Sequence, residues 1–122
     1  MIRLNYQHLY RILLVSAASL SLLESCNYHN VQKVAPEINE VKIDEKFRVN
    51  LPENHQDGYT WSQGTKSLHH VEELNQVWHG NDKGIDFNYK TKALGTDTLY
   101  FIKRKYTDTI ETRTILVKVI NS

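Results

Sequence analysis

Cysteine, proline and glycine are scarce in this sequence, and its positive and negative charges nearly cancel. The only cysteine is Cys26, so an internal disulfide is impossible. Two prolines, five glycines and 40% hydrophobic residues are the composition of a globular protein. The formal net charge of +1 provides no long-range attraction to nucleic acid or acidic membranes. The chain of 122 residues therefore has room for one domain, which must fold on its hydrophobic core alone.

A hydrophobic run long enough to span a membrane is also missing. The apolar stretch over residues 12–23 is too short, because a bilayer core of about 30 Å takes nearer twenty residues. Arg3 and Arg11 precede it, and its length is that of the hydrophobic region of a secretory signal peptide. A buried amphipathic helix is the alternative, but the stretch is apolar on all sides. We predict an N-terminal signal or anchor helix over residues 1–25 and an exported protein.

The cysteine stands directly behind this stretch, in the sequence Leu23-Glu24-Ser25-Cys26. The sequence resembles a bacterial lipobox, although Glu24 departs from the usual small or β-branched residue. The resemblance implies that Cys26 is the lipidated first residue of the mature protein, anchored by several acyl chains. A signal peptide cleaved elsewhere would leave Cys26 as a free thiol. The lipobox interpretation predicts a membrane lipoprotein in the periplasm or at the cell surface, with residues 26–36 as lipidated cysteine and polar tether.

After residue 36 the dominant pattern is the alternation of apolar and polar residues that half-buried β-strands show. It is clearest over residues 85–93, where Ile85, Phe87 and Tyr89 alternate with polar residues. Residues 71–78 are ambiguous, because their apolar spacing also fits a short helix. The pattern predicts an all-β domain over residues 37–122, an immunoglobulin-like β-sandwich of six to eight strands. Other strands are predicted over residues 40–44, 46–51, 59–63, 98–102 and 112–120, with a turn over residues 94–97.

Three segments between these strands carry loop motifs. Residues 51–61 read Leu-Pro-Glu-Asn-His-Gln-Asp-Gly-Tyr-Thr-Trp, residues 80–84 read Gly-Asn-Asp-Lys-Gly, and residues 104–106 read Arg-Lys-Tyr. In order and spacing over residues 41–119 they resemble three loops of the chagasin-type inhibitors of papain-like cysteine proteases. That family has Asn-Pro-Thr-Thr-Gly-Tyr, a variable residue and Trp in the first loop, a glycine-rich second loop, and Arg-Pro-Trp in the third.

The resemblance implies a monomeric, non-enzymatic protein without a cofactor, whose partner is a papain-like cysteine protease. Three loops at one end of the sandwich would occlude the active-site cleft. By analogy, loop 1 enters the catalytic centre, loop 2 lies along the cleft like a substrate, and loop 3 packs on the primed side. The implied contact residues are Asn54, His55, Gln56, Asp57, Gly58 and Tyr59 in loop 1, Gly80, Asn81, Asp82, Lys83 and Gly84 in loop 2, and Arg104, Lys105 and Tyr106 in loop 3.

Loop 1 departs from the family pattern in ways that bear on inhibition. The missing proline removes a stiffening effect of roughly 0.4–1 kcal/mol. Asp57 replaces a threonine, and a carboxylate there is attracted to the catalytic imidazolium but repelled by the thiolate beside it. Gly58 is retained, and allows either close approach of the backbone to the target cysteine or a positive φ. We predict weaker inhibition than the family norm, or a narrower range of targets.

Each motif also has a simpler interpretation. Trp61 and Tyr59 fit a sandwich core, Gly80 and Gly84 fit an ordinary turn, and residues 103–106 fit a charged edge that discourages aggregation. The alternative function is a non-inhibitory surface lipoprotein module that binds an envelope component or a glycan. Adjacent His69 and His70 would face opposite sides of a strand, so we expect no metal site. No spacing typical of a Ser/His/Asp site is present either, so we expect no enzyme activity.

Overall fold

The computed structural model describes residues 28–122, which form two packed β-sheets. The strands are β1 (Tyr28–Asn30), β2 (Ile38–Lys42), β3 (Lys46–Leu51), β4 (Thr60–Gln63), β5 (Val71–Trp78), β6 (Ile85–Thr91), β7 (Gly95–Lys105) and β8 (Asp108–Ile120). One sheet has the strand order β1-β3-β6-β5 and the other β2-β8-β7-β4. The predicted immunoglobulin-like all-β sandwich is therefore confirmed, and no helix within residues 28–122 has the length and hydrophobicity of a membrane span.

The core between the sheets is built from the apolar positions of the alternating strands. In β6 the residues Ile85, Phe87 and Tyr89 are buried, as the alternation predicted. The Phe87 ring packs against Phe101 of β7 at a centroid distance of 4.9 Å, and Phe47 of β3 stacks on Tyr89 at 5.1 Å. Burying each such side chain contributes roughly 1.5–3 kcal/mol. The hydrophobic interior thus holds the domain together without a disulfide.

The ambiguous segment over residues 71–78 is the edge strand β5. It pairs antiparallel with β6, and a β-bulge shifts the register between Glu73 and Asn75. A bulge inserts one extra residue, so the side-chain alternation changes phase halfway along the strand. The apolar spacing at Val71, Leu74, Val77 and Trp78 that looked helical in the sequence is not a buried face, because only Val71 is buried and the other three side chains are exposed.

The predicted turn over residues 94–97 needs a correction, because β7 already begins at Gly95. Asp97 lies within this strand and is buried. Its carboxylate accepts hydrogen bonds from the backbone N–H groups of His69 (3.1 Å), His70 (2.8 Å) and Val71 (3.0 Å). A buried carboxylate needs such partners, and here it fixes the chain that leads into β5.

The polar tether predicted over residues 26–36 also needs a correction. Strand β1 pairs in parallel with β3, and the side chain of Val31 is 1% exposed within the core. The Val31 N–H donates to the Arg48 carbonyl at 3.0 Å. A three-residue strand has too few alternating positions to be recognised from sequence. Cys26 and the predicted signal peptide lie outside the described residues.

Candidate functional site

The three predicted loops lie at the same end of the sandwich. The last residue of β3, Leu51, pairs with Ile85 at the start of β6, and Trp78 at the end of β5 pairs with the same residue. Loop 1 (residues 54–59) and loop 2 (residues 80–84) are therefore neighbours. Thr60, which follows loop 1, pairs with Arg104 of loop 3 (residues 104–106). Strand register thus places loop 1 between the other two.

Loop 1 is a single 3-10 turn over His55–Asp57, which the sequence did not predict. The Asn54 side chain caps it, because its Oδ1 accepts from the Gln56 N–H at 2.9 Å. Gly58 ends the turn in the left-handed conformation with φ of 76°. Of the two roles foreseen for this glycine, the structure shows the positive φ. A β-branched residue at Gly58 would strain the loop itself, so it cannot serve as a test of binding alone.

A buried carboxylate, Glu53, ties the base of loop 1 to β4. Its side chain is 3% exposed. Oε1 accepts from the Trp61 N–H at 2.6 Å, and Oε2 lies 2.7 Å from Nε2 of His55, which donates to it. The Trp61 indole N–H in turn donates to the Pro52 carbonyl at 2.9 Å. These bonds close the loop at both ends, and they place Trp61 in the core as the simpler interpretation proposed.

Loop 1 is joined to the neighbouring loop through His55. The imidazole stacks on the indole of Trp78 with a centroid distance of 4.0 Å and an angle of 9°. The His55 N–H also donates to Oδ1 of Asn81 at 3.0 Å. An aromatic stack and a hydrogen bond therefore hold the first two loops in one arrangement.

Loop 2 is a tight turn whose two glycines have different roles. Both have positive φ, 105° at Gly80 and 75° at Gly84. A Cβ at Gly80 would meet nothing within 4 Å, whereas at Gly84 it would overlap the carbonyl of Leu51. Gly84 is therefore required because its backbone lies so close to β3. This agrees with the simpler interpretation of Gly84 as a turn glycine. The Asn50 side chain fixes the loop further by donating to the Lys83 carbonyl at 2.9 Å.

The strand side of loop 2 carries a second buried carboxylate, Asp86. Its Oδ2 lies 2.8 Å from Nε2 of His79 and 3.6 Å from Nη1 of Arg48. Oδ1 accepts from the Asn50 amide at 2.7 Å. Two of its partners, Arg48 and Asn50, come from β3, and the third, His79, directly follows β5. These contacts hold the base of loop 2 as Glu53 holds the base of loop 1.

Loop 1 packs against loop 3 through basic side chains. The ammonium groups of Lys103 and Lys105 lie over the Tyr59 ring at 5.1 and 5.3 Å from its centroid. The Lys105 stem also packs beside Gly58, because a Cβ built there would lie 3.5 Å from Lys105 Cε. These contacts leave Tyr59 half-buried, so it is neither a core residue nor a fully exposed loop residue. Cation–π attraction is the physical basis of this contact.

The tip of loop 3 exposes an aromatic side chain. Lys105 and Asp108 pair across a two-residue turn, Tyr106-Thr107. Tyr106 has φ of 55°, and its side chain is 91% exposed. The left-handed conformation is unfavourable for an aromatic residue, and the exposed Tyr106 side chain makes too little contact to offset this cost. The hairpin around Tyr106 therefore imposes the conformation.

The surface formed by the three loops includes residues that the sequence reasoning missed. Glu53, Trp78 and Lys103 all contact loop 1. Glu53 and Lys103 directly precede predicted loops, and Trp78 is separated from loop 2 by one residue. Their position beside the loops was the available signal. A pocket of about 150 Å³ opens between loops 1 and 2, lined by Pro52, Glu53, Asn54, Asp57, Tyr59, Asn81 and Lys103.

Other parts of the described chain offer weaker candidates. A larger hollow of about 460 Å³ lies between residues 29–33 and 38–40, and none of its lining residues belongs to the three loops. Its titratable side chains, His29, Lys33 and Glu40, are exposed. Within residues 28–122 no three metal-ligating side chains lie together. The loop end is thus the surface on which shaped backbone, aromatic groups and charges meet.

The fold of this chain is similar to that of proteins of known structure. No protein-family model matches the chain, and no curated protein matches it either. Among solved structures, it is similar to the cysteine protease inhibitor EhICP2 from Entamoeba histolytica, with a TM-score of 0.58 and 16% identity over 76% of this chain and 95% of that one. It is also similar to amebosin, with a TM-score of 0.53 and 16% identity over 76% and 98% of the two chains. At this identity the likeness establishes the fold.

Proposed function

We propose that this protein inhibits papain-like cysteine proteases by placing loop 1, flanked by loops 2 and 3, across the active-site cleft. The observation that carries the proposal is the meeting of the three loops in one continuous surface, with loop 1 in the middle. The fold shared with a cysteine protease inhibitor supports it. The alternative, an adhesion module, makes no demand that these loops meet.

The contacts within the loops supply the rigidity that an inhibitor needs. Ordering a flexible side chain on binding costs about 0.5–1.5 kcal/mol, so a preformed loop loses less on docking. Glu53 and Asn54 fix loop 1 internally, and Trp78 braces it from β5. These contacts take over the stiffening role of the proline that loop 1 lacks. Three loops of this size are consistent with a standard interface of about 800 Å² per partner.

Exposed polar groups at the tip supply the contacts with the protease. Gln56 and Asp57 are exposed on the 3-10 turn, and Tyr106 projects from loop 3. Aromatic side chains are common anchors of interfaces. Asp57 brings a carboxylate to the cleft, where it must lose water and stand near the catalytic thiolate. For this reason we propose inhibition that is weaker than nanomolar.

The experiment is a titration of papain and cathepsin L with the purified protein. Wild type is expected to inhibit, and Gln56→Trp, which adds bulk at the tip of loop 1, is expected to lose inhibition. Asn121→Trp adds the same bulk beyond Ile120, at the opposite end of β8, and serves as the matched control. The proposal fails if wild type inhibits neither papain nor cathepsin L at micromolar concentration, or if both variants inhibit equally.

The position of the N-terminus suits the proposed membrane anchor. β1 runs parallel to β3 with Tyr28 opposite Lys46, so the chain enters the domain at the end remote from the loops. Five residues of strand separate Lys46 from Leu51, about 17 Å at 3.3 Å per residue. We propose that Cys26 is lipidated and that the loops point away from the membrane. Cys26→Ser should move the protein from the membrane fraction to the soluble fraction and abolish incorporation of a labelled fatty acid.

A further inference from the structure

The β7–β8 side of the loop end carries an excess of positive charge. We call residues 103–113, the end of the β7–β8 hairpin, the cationic arm. It contains Lys103, Arg104, Lys105 and Arg113 against two carboxylates, Asp108 and Glu111. The exposed tips of loops 1 and 2 carry Asp57, Asp82 and Lys83, so they have no comparable excess of positive charge.

Most of the positive charge of the cationic arm is not neutralised within the described domain. Glu111 pairs with Arg113 at 2.8 Å, the one ion pair that residues 28–122 form on the arm. No carboxylate in that part of the chain lies within ion-pair distance of Lys103, Arg104 or Lys105. Arg104 is exposed, and the other two ammonium groups lean on the Tyr59 ring instead.

Aromatic rings hold these cations in place at the rim of loop 1. Besides the two lysines over Tyr59, Lys103 and Arg113 lie 5.8 and 5.2 Å from the Trp61 ring centroid. An ammonium over a ring keeps its full charge, since the ring attracts the cation without neutralising it. The arm therefore presents fixed positive charge beside the loop that is proposed to enter the cleft.

From this arrangement we infer that the cationic arm selects partners by charge: it fits a papain-like protease whose cleft wall facing loop 3 carries acidic side chains. The inference rests on the proposed inhibitory function. Complementary charges raise the rate of association and suppress partners of like charge. A protease with a basic wall on that side is disfavoured. Because exposed charges are screened beyond about 8 Å at physiological salt, the selection acts on groups that the arm nearly touches.

Charge reversal on the arm tests this inference. The association rate constant is measured from progress curves of inhibition, at about 20 mM and about 300 mM salt, for a protease that wild type inhibits. Arg104→Glu/Lys105→Glu is expected to associate about tenfold more slowly at low salt and to lose most of the salt dependence of wild type. The double variant also removes the packing of Lys105 on Tyr59. Arg104→Glu alone, at an exposed position, avoids that effect and should shift the association rate constant in the same direction.

Lys42→Glu/Lys66→Glu makes the same change in charge away from the arm and should associate like wild type. Lys42 lies at the end of β2 remote from the loops, and Lys66 lies between β4 and β5. Unchanged rates and salt dependence in the arm variants, with inhibition intact, would overturn the inference and leave the proposed function standing. Failure of wild type to inhibit would overturn both.

Discussion

Replacing Tyr106 by asparagine is expected to stabilise the fold and weaken inhibition at the same time. The residue has φ of 55° at the tip of the β7–β8 turn, where a bulky side chain costs roughly 1–2 kcal/mol and asparagine is tolerated. Since the Tyr106 side chain is 91% exposed, its removal loses almost no buried surface. We expect a gain in the free energy of unfolding of about 0.5–1 kcal/mol, which raises Tm by about 2–8 °C in a domain of this size.

The opposite effect on binding follows from the place of Tyr106 on the proposed surface. Truncating an aromatic anchor at an interface commonly costs about 1–2 kcal/mol, which corresponds to a loss of affinity of roughly tenfold. Thermal unfolding and titration of one protease give both quantities on the same sample. Tyr100→Asn is the control, because Tyr100 lies in the regular part of β7 and is expected to lose stability and keep inhibition. A lower Tm for Tyr106→Asn, or a higher Tm with unchanged affinity, would refute the reasoning.

Three further substitutions probe the buried carboxylate, the core tyrosine and the loop tip. Glu53→Gln should cost about 1–3 kcal/mol in urea unfolding, because one of the partners Trp61 and His55 then faces an amide N–H₂; exposed Glu72→Gln should change stability by less than about 0.5 kcal/mol. Burial raises the pKa of Tyr89 well above its usual value of 10.0, and the negative charge of Glu73 adds a smaller increase. Gln63 lowers this pKa only slightly, because its side chain does not reach hydrogen-bond geometry with the Tyr89 hydroxyl. The neutral hydroxyl is thus favoured in the fold, so this part of the stability is complete below pH 10 and is lost as the pH rises through the higher value. Tyr89→Phe should leave stability near neutral pH within about 1 kcal/mol and reduce its fall in alkaline solution, and an equal fall in both proteins would contradict this. Asp57→Thr should tighten protease inhibition by about tenfold, and no gain in a titration would mean that the carboxylate is not what limits affinity.

Much of the architecture follows from the alternation of apolar and polar residues, because side chains on a strand point to opposite faces with a period of two. The strands around Phe47, Phe87 and Ile115 were predicted on this basis, and all three side chains are buried. The prediction lost accuracy where the period is interrupted or too short to see. The bulge in β5 changed the phase, and β1 has three residues.

The three loop segments were recognised from their residues, and their meeting at one end follows from the strand register. The contacts that make them one surface were not predictable in the same way. Glu53 reads as an ordinary surface residue in sequence, yet its carboxylate is buried between His55 and Trp61. Trp78 belongs to the loop surface because it is the last residue of β5 and its indole stacks on the His55 ring. The binding roles of the loop residues stay predictions.

The sequence by itself determined the all-β class, the location of most strands and the three segments that became loops, because these depend on local periodicity and turn chemistry. Only the tertiary structure decided that residues 28–31 belong to the domain, that Glu53 and Trp78 brace loop 1, and that the cations of residues 103–105 stand beside it. The physical reason is distance along the chain. Hydrogen bonds, stacking and charge contacts between residues far apart in sequence depend on how strands pair. The periodic pattern shows which face of a strand is buried, but not which other strand lies beside it.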